Sequence, residues 1–289
     1  MGQYTVRRAT SDDREVVEYL LDMADRLVLY TQRGSVQRDL GNQAFYLVEA
    51  NGELGCVCGF YVAPETVAQV RVFGLLEGWQ VGEALRALLP IAGAQLGARD
   101  VTTLAFTGIE AWLMDGLVEN GFRQTNEIVS LQKTDFYVPD EGNPDATVRP
   151  ARRADFASIL DIDRAVFVPL WRNTEGTLTE YMSSCSDLSV AELDGTVIGY
   201  QCLNLIGRHG HVTRIAVHPD YHGQRIAVRL LAEAIRFFHS HRVYGITLNT
   251  QQDNHRARRL YDWFGFKVLG QEAQVMTLDV PCLSSETQV

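Results

Sequence analysis

The run Val217-His218-Pro219-Asp220-Tyr221-His222-Gly223-Gln224-Arg225-Ile226-Ala227 joins an apolar strand to a long helix, and the chemistry open to such a junction is anion binding. Backbone N–H groups of a first helical turn have no intrahelical acceptor, and with the helix dipole they favour phosphate. Gly223 lets a ligand approach the backbone with no side chain in the way. An ordinary helix start has the same look, so the junction gains meaning from its surroundings. Asn254 opens the segment HRARRLYDWF, where its side chain can cap a helix. Tyr261, four residues before Gly265, can donate a proton at neutral pH, since a phenol titrates near about 10; it can equally be a core residue. His211 and His218 could accept a proton from an incoming group, or be ordinary strand and surface histidines.

The elements that must position these residues are legible around them. HVTRIAVHP (211–219) reads as a strand. A helix is expected from about His222 to His241, with an apolar stripe at Ile226, Leu230, Ala234 and Phe238 widened by Leu231 and Ile235. YGITLNT (244–250) is a second strand, and HRARRLYDWF a second helix. Adjacent hairpins and one strand-helix-strand crossover imply an α+β sheet with helices on both faces.

The same order of elements occurs twice. VRRATSDD from Val6 resembles VRPARRAD from Val148, the Asn51-Gly52 turn matches Asp194-Gly195, and Gly121-Phe122 matches Gly265-Phe266, at offsets of 142 to 144. An apolar strand follows each Gly-Phe step, NEIVSLQ in the first copy and QEAQVMTL in the second. Pro, Gly and acidic residues dominate FYVPDEGNPDAT (136–147), a linker composition. The expected division is therefore 1–137, a linker at 138–146, and 147–289.

The 26 Lys and Arg against 36 Asp and Glu give a net charge of −10, which argues against nucleic acid or an anionic membrane as the partner of the whole surface. Residues 207–267 depart from this balance with ten basic and four acidic residues, as a site for a small anionic ligand would. No apolar run approaches the roughly 20 residues needed to span a bilayer, and the first residues lack the apolar core of a signal peptide. A cytoplasmic location is expected. Cys56, Cys58, Cys185, Cys202 and Cys282 have no zinc-ligand spacing, so reduced thiols and no metal are expected.

Taken together, Val217–Ala227 and the QDNHRARRLYDWFGF context resemble the GNAT superfamily of acetyl-coenzyme A dependent N-acetyltransferases. That family's pattern Asn-x-x-Ala-x-x-x-Tyr-x-x-x-Gly-Phe is matched by Asn254, Ala257, Tyr261, Gly265 and Phe266. Its pyrophosphate loop, Gln/Arg-x-x-Gly-x-Gly/Ala, is matched in part, with His222 at the first position, Arg225 in place of the central Gly, and Ala227 at the last. The resemblance covers about 146–280 by motif and 1–135 by domain pattern alone. It implies that His222, Gly223, Gln224, Arg225, Ile226 and Ala227 hold the coenzyme pyrophosphate. Ile215, Ala216 and Val217 would pair with the pantetheine arm, and an N–H at Ile215 or a neighbour would stabilise the developing oxyanion. Asn254 would bond the arm, and Tyr261 would protonate the leaving thiolate. Acetyl-CoA and a primary amine are then the implied partners, with no metal, no nucleic acid and no membrane, and an oligomer is compatible with the sequence. Residues 167–188, with Trp171, Arg172, Glu175 and Tyr181, would line the acceptor side. The tandem arrangement also resembles mycothiol synthase, which acetylates a small thiol precursor. A competing reading is a non-catalytic acyl-CoA sensor or scaffold.

In the first copy Glu77-Gly78-Trp79-Gln80-Val81-Gly82 stands opposite His222–Ala227, Glu110 opposite Asn254, and Leu117 opposite Tyr261. Residues 62–122 hold three basic and seven acidic residues, a balance that repels an anionic coenzyme. The first copy is expected to keep the fold without the cofactor.

Overall fold

The computed structural model describes residues 4–62 and 66–280, which form two compact units. Unit 1 runs through β1 (Tyr4–Arg8), α1 (Arg14–Met23), β2 (Arg26–Leu29), α2 (Arg33–Asp39), β3 (Ala44–Ala50), β4 (Glu53–Val62), β5 (Val67–Leu75), α3 (Val81–Gly97), β6 (Thr103–Gly108) and α4 (Ala111–Glu119). The next strand, β7 (Arg123–Lys133), belongs to unit 1 up to Asn126 and to unit 2 from Glu127. Unit 2 continues with β8 (Thr147–Pro150), α5 (Phe156–Val166), α6 (Glu175–Ser184), β9 (Asp187–Leu193), β10 (Thr196–Ile206), β11 (His209–Val217), α7 (Ile226–Ser240), β12 (Ile246–Gln251) and α8 (His255–Trp263). The last strand, β13 (Lys267–Asp279), returns to unit 1 from Ala273.

The two sheets have one topology. In unit 1 the order is β1-β3-β4-β5-β6-β13, and in unit 2 it is β8-β9-β10-β11-β12-β7. Each has a single parallel neighbour pair, β5 with β6 and β11 with β12, and is otherwise antiparallel. The closing strand of each sheet is the one that the repeat assigns to the other copy. Gln274–Asp279 pair with β6, and Ile128–Lys133 pair with β12. The units therefore divide at 126/127 and 272/273, inside two strands, whereas the linker-like composition suggested a break at 138–146.

Helices cover both faces of each sheet. In unit 2, α5 and α6 bury Phe156, Ile159, Ile162 and Leu178 against Tyr200 and Ala216. On the other face α7 buries Leu231, Ala234, Ile235 and Phe238 against Leu203, Val212, Ile246 and Leu248. Full burial of each large side chain is worth roughly 1.5–3 kcal/mol, so the stripe of α7 alone fixes that helix to the sheet. The helix begins at Ile226 rather than His222, because a 3₁₀ turn at Pro219–Tyr221 and positive φ at Gly223 and Arg225 interrupt the helical path.

Two expectations meet a different structure. Cys185, at the C-terminal end of α6, is disulfide-bonded to Cys202 of β10, where reduced thiols were expected; a separation of 17 residues carries no signature of pairing. Cys56 and Cys58 are buried free thiols whose ionisation burial opposes, and Cys282 lies outside the described residues. Segment 138–146 is docked on α7 rather than running free. A Cβ at its Gly142 would lie 2.3 Å from the Arg229 nitrogen, Asn143 donates from its side chain to the Gln224 carbonyl (3.0 Å), and Asp140 and Glu141 ion-pair with Arg225 and Arg236. Among the described residues no helix is long and apolar enough to cross a membrane, and no cluster of His, Cys, Asp and Glu could hold a metal ion.

Candidate functional site

The site is built on the place where β11 and β12 part. Their parallel pairing extends only from Gly210 to Val212 on β11. Beyond it, β11 remains paired with β10, and His218 donates to the Ile198 carbonyl (2.9 Å). Alternation along an antiparallel ladder then turns the Ala216 backbone toward Tyr200 and points the backbone groups of Ile215 and Val217 to the opposite edge, where no described strand pairs with them. Of the three strand residues expected to meet a pantetheine arm, Ile215 and Val217 thus turn their N–H groups to that edge, while the Ala216 backbone turns to β10. The Val217 carbonyl is taken by Nε2 of His222 at 3.0 Å. A bulge accompanies the parting, since Cys202 pairs with Arg214 and Leu203 with Val212, leaving Thr213 as the extra residue.

Immediately after this edge the chain makes the phosphate-type loop. Gly223 (φ +83°) and Arg225 (φ +61°) are both left-handed, and Arg225 caps α7 without a side-chain hydrogen bond to the first turn. The amides of that turn receive no hydrogen bond from the capping side chain, the arrangement that suits an anion. Left-handed backbone costs a non-glycine residue roughly 1–2 kcal/mol, which is the physical reason a glycine is preferred there. Here the arginine is held from outside by Asp140. The amide of Gly142 and the Arg225 guanidinium keep the Asp140 carboxyl below the usual carboxylate range. Arg256 of α8 donates to Nδ1 of His222, which brings a second guanidinium to the loop. Sequence reasoning missed Arg256; its only signal was the density of cations in HRARR.

Asn254 caps α8, accepting from the Ala257 amide at 3.2 Å. Tyr261 points inward beside Phe266 and is only 6% exposed, and burial pushes its phenol up to about 12, so it stays protonated at any physiological pH.

A second group of residues went unrecognised. Asp163, fully buried on α5, accepts from Arg214 of β11 (2.7 Å) and from the Tyr200 hydroxyl, and its other oxygen accepts from the Asn173 amide (2.6 Å). Arg214 also donates to the Trp171 carbonyl and lies 3.5 Å from the Phe167 ring centroid. Burial works against the Arg214 charge, but Tyr200 and Asp163 outweigh it and hold the guanidinium protonated; burial raises the Tyr200 phenol. This network ties segment 167–174 to the residue next to Ile215. A charged residue between Ile159 and Ile162 on one side and the helix end on the other was the available sign of it.

Unit 1 treats the equivalent edge differently. Leu76 donates to the Gly55 carbonyl, so Phe73 and Leu75 point away from β4, as Ile215 and Val217 point away from β10. In unit 1 that edge is occupied by the chain itself, with Val28 of β2 opposite Phe73 and Arg26 opposite Leu75. Glu110, the counterpart of Asn254, is bonded to the Tyr30 hydroxyl (2.7 Å). The counterpart of β2 in unit 2, 168–171, holds the 3₁₀ turn Pro169–Trp171, whose Trp171 carbonyl accepts from Arg214, and no described strand pairs with β11 on that edge beyond Val212.

Residues 156–266 match the Acetyltransferase (GNAT) family. A relative from Bacillus subtilis (strain 168), described as a [ribosomal protein bS18]-alanine N-acetyltransferase, is 25% identical over 122 residues, 42% of this chain and 81% of that one. Mycothiol acetyltransferase of Brachybacterium faecium is 28% identical over 106 residues, covering 35% of this chain and only 32% of the relative. Among solved structures, a tandem GNAT protein from the clavulanic acid biosynthesis pathway superimposes with a TM-score of 0.60 at 14% identity, over 96% of this chain and 99% of that one, a likeness of fold.

Proposed function

We propose that the chain, whose residues 156–266 match the Acetyltransferase (GNAT) family, transfers an acetyl group from acetyl-CoA to a primary amine of a small molecule or protein, and that unit 2 alone carries the reaction. One observation carries the reading. The edge of β11 at Ile215 and Val217 is open beside a left-handed, uncapped helix start, whereas the same edge of unit 1 is filled by β2. The N–H groups of Ile215 and Val217 would bond the pantetheine amides and then the carbonyl oxygen of the thioester as it becomes an oxyanion. His222, Gly223, Gln224, Arg225, Ile226 and Ala227 would surround the pyrophosphate, with Arg256 adding charge. As the amine nitrogen forms its bond to carbon and the carbon–sulfur bond breaks, the Tyr261 hydroxyl would give its proton to the thiolate.

The test is calorimetry with acetyl-CoA, followed by thiol release with alkylamines, an amino sugar and peptide α-amines. Tyr261→Phe should bind the coenzyme as wild type does and turn over roughly 100-fold more slowly, the lower range for a lost general acid. An unchanged rate removes Tyr261 from the chemistry. Tight coenzyme binding with no turnover on any amine would favour a sensor.

A further inference from the structure

Resting on the acetyl-transfer reading, we propose that His211 is the general base that takes the proton from the acceptor amine, its tautomer set by Thr247.

Thr247 of β12 is registered opposite His211, and its hydroxyl donates to the Gly210 carbonyl at 3.3 Å. The Thr247 oxygen also lies 2.9 Å from His211 Nδ1 and can accept there while its own proton goes to Gly210. In that arrangement His211 carries its proton on Nδ1 and keeps a lone pair on Nε2, the tautomer the proposed role requires. Among the described residues Nε2 has no hydrogen-bond partner, and the ring is part-exposed. This is the form a base requires, obtained without a carboxylate.

Position agrees with the role. Pair His211–Thr247 is the last but one before β11 and β12 part, so the imidazole stands at the apex of the open slot. Val212 faces the α7 side and Ala216 the α5 side, which puts His211 with Arg214 on the face that also carries segment 167–174. At a rise of about 3.3 Å per residue, the free N–H of Ile215 lies on the order of 10 Å along the strand, a gap that an imidazole on one side and a thioester with its attacking amine on the other can fill.

The ionisable groups around His211 leave it neutral. Its neighbours across the ladder, Asn204 and Thr247, do not titrate in this range, and Asn204 is bonded to Thr213 (2.7 Å). On the same face Arg214, Asp163 and Tyr200 are bonded to one another, and His209 packs on Tyr244. Burial lowers the His211 pKa below its ordinary value, so the base form persists at neutral pH and is lost only as pH falls. As the amine nitrogen bonds to the thioester carbon and the carbon–sulfur bond breaks, the amine proton passes to Nε2 and the sulfur departs with the proton of Tyr261; the imidazolium then gives its proton to solvent and solvent reprotonates the Tyr261 phenolate.

The test pairs kinetics with a measurement independent of any acceptor. With acetyl-CoA and the best primary amine of the panel, His211→Gln should lower kcat/KM by about 100-fold or more and erase the acidic limb of its pH profile, with acetyl-CoA affinity unchanged. Thr247→Val should give a smaller loss with the limb retained. Nitrogen NMR of the full chain should show His211 protonated on Nδ1 at neutral pH. A His211→Gln rate within about three-fold of wild type, or a proton on Nε2, overturns the assignment while leaving the acetyl-transfer reading in place. Coenzyme binding without turnover of wild type on any amine overturns both.

Discussion

Replacing Arg214 by Val removes a guanidinium that bonds Asp163, Tyr200 and the Trp171 carbonyl and covers the Phe167 ring. The Asp163 side chain is 1% exposed and that of Arg214 is 14% exposed, so the pair is screened little by water. Removing one partner of such a pair leaves a buried charge uncompensated, at a cost of about 3–5 kcal/mol. Because Arg214 retains some access to solvent, about 3–4 kcal/mol is expected. At about 2–4 °C per kcal/mol for a body of this size, the transition of unit 2 should fall by roughly 6–16 °C. Unit 1 supplies the control, since Leu21 and Val72 stand where unit 2 has Asp163 and Arg214, and both are buried. The double variant Asp163→Leu/Arg214→Val should thus be more stable than Arg214→Val alone. In enzyme assays the single variant should raise the acceptor KM, because segment 167–174 loses its anchor, while acetyl-CoA affinity holds. Thermal unfolding of the four members of the cycle decides the matter. A single-variant loss below about 1 kcal/mol, or a double variant less stable than the single one, would refute the reasoning.

Two further outcomes follow from the same geometry. Calorimetric titration with coenzyme A should give one site per chain, because β2 occupies the edge in unit 1 that the coenzyme would need; two equivalent sites would be incompatible with that pairing. Arg225→Gly should leave the melting temperature unchanged or raise it, since relief of roughly 1 kcal/mol of left-handed strain offsets an exposed ion pair of small worth, whereas Arg225→Ala keeps the strain and loses the pair. Equal melting temperatures for the two variants would show that the backbone at 225 is unstrained.

What could be read from the sequence was whatever repeats locally. The stripe Ile226, Leu230, Ala234, Phe238 has the helical period, and all four are buried on α7. The duplication was visible because turns such as Asn51-Gly52 and Asp194-Gly195 demand residues that tolerate positive φ, and all four have it. Non-local choices left no local trace. NEIVSLQ and QEAQVMTL are equivalent strands, and nothing in either specifies which of two equivalent sheet edges it joins. RLVL at 26–29 is too short to announce a strand, let alone one that pairs along the edge of β5. The acidic, glycine-containing stretch around Asp140 has the composition of a solvated connection, yet its charges meet Arg225 and Arg236. For the catalytic candidates, the family motif pointed to Tyr261 and the loop and residue type alone to His211, while the pairing of His211 with Thr247 needed three-dimensional register.

The exchange of closing strands has a consequence for synthesis. When β6 leaves the ribosome, the segment that completes its sheet, Gln274–Asp279, has yet to be translated. At roughly 5–20 residues per second, unit 1 waits on the order of ten seconds with an unpaired edge. An unpaired edge is a template for a strand of another chain, and β7, emerging next, is equivalent by repeat to the missing one. The nascent chain must therefore hold β7 in reserve until β12 appears, and a chain stopped before Ala273 would leave its first half without a closing strand however sound the second half was.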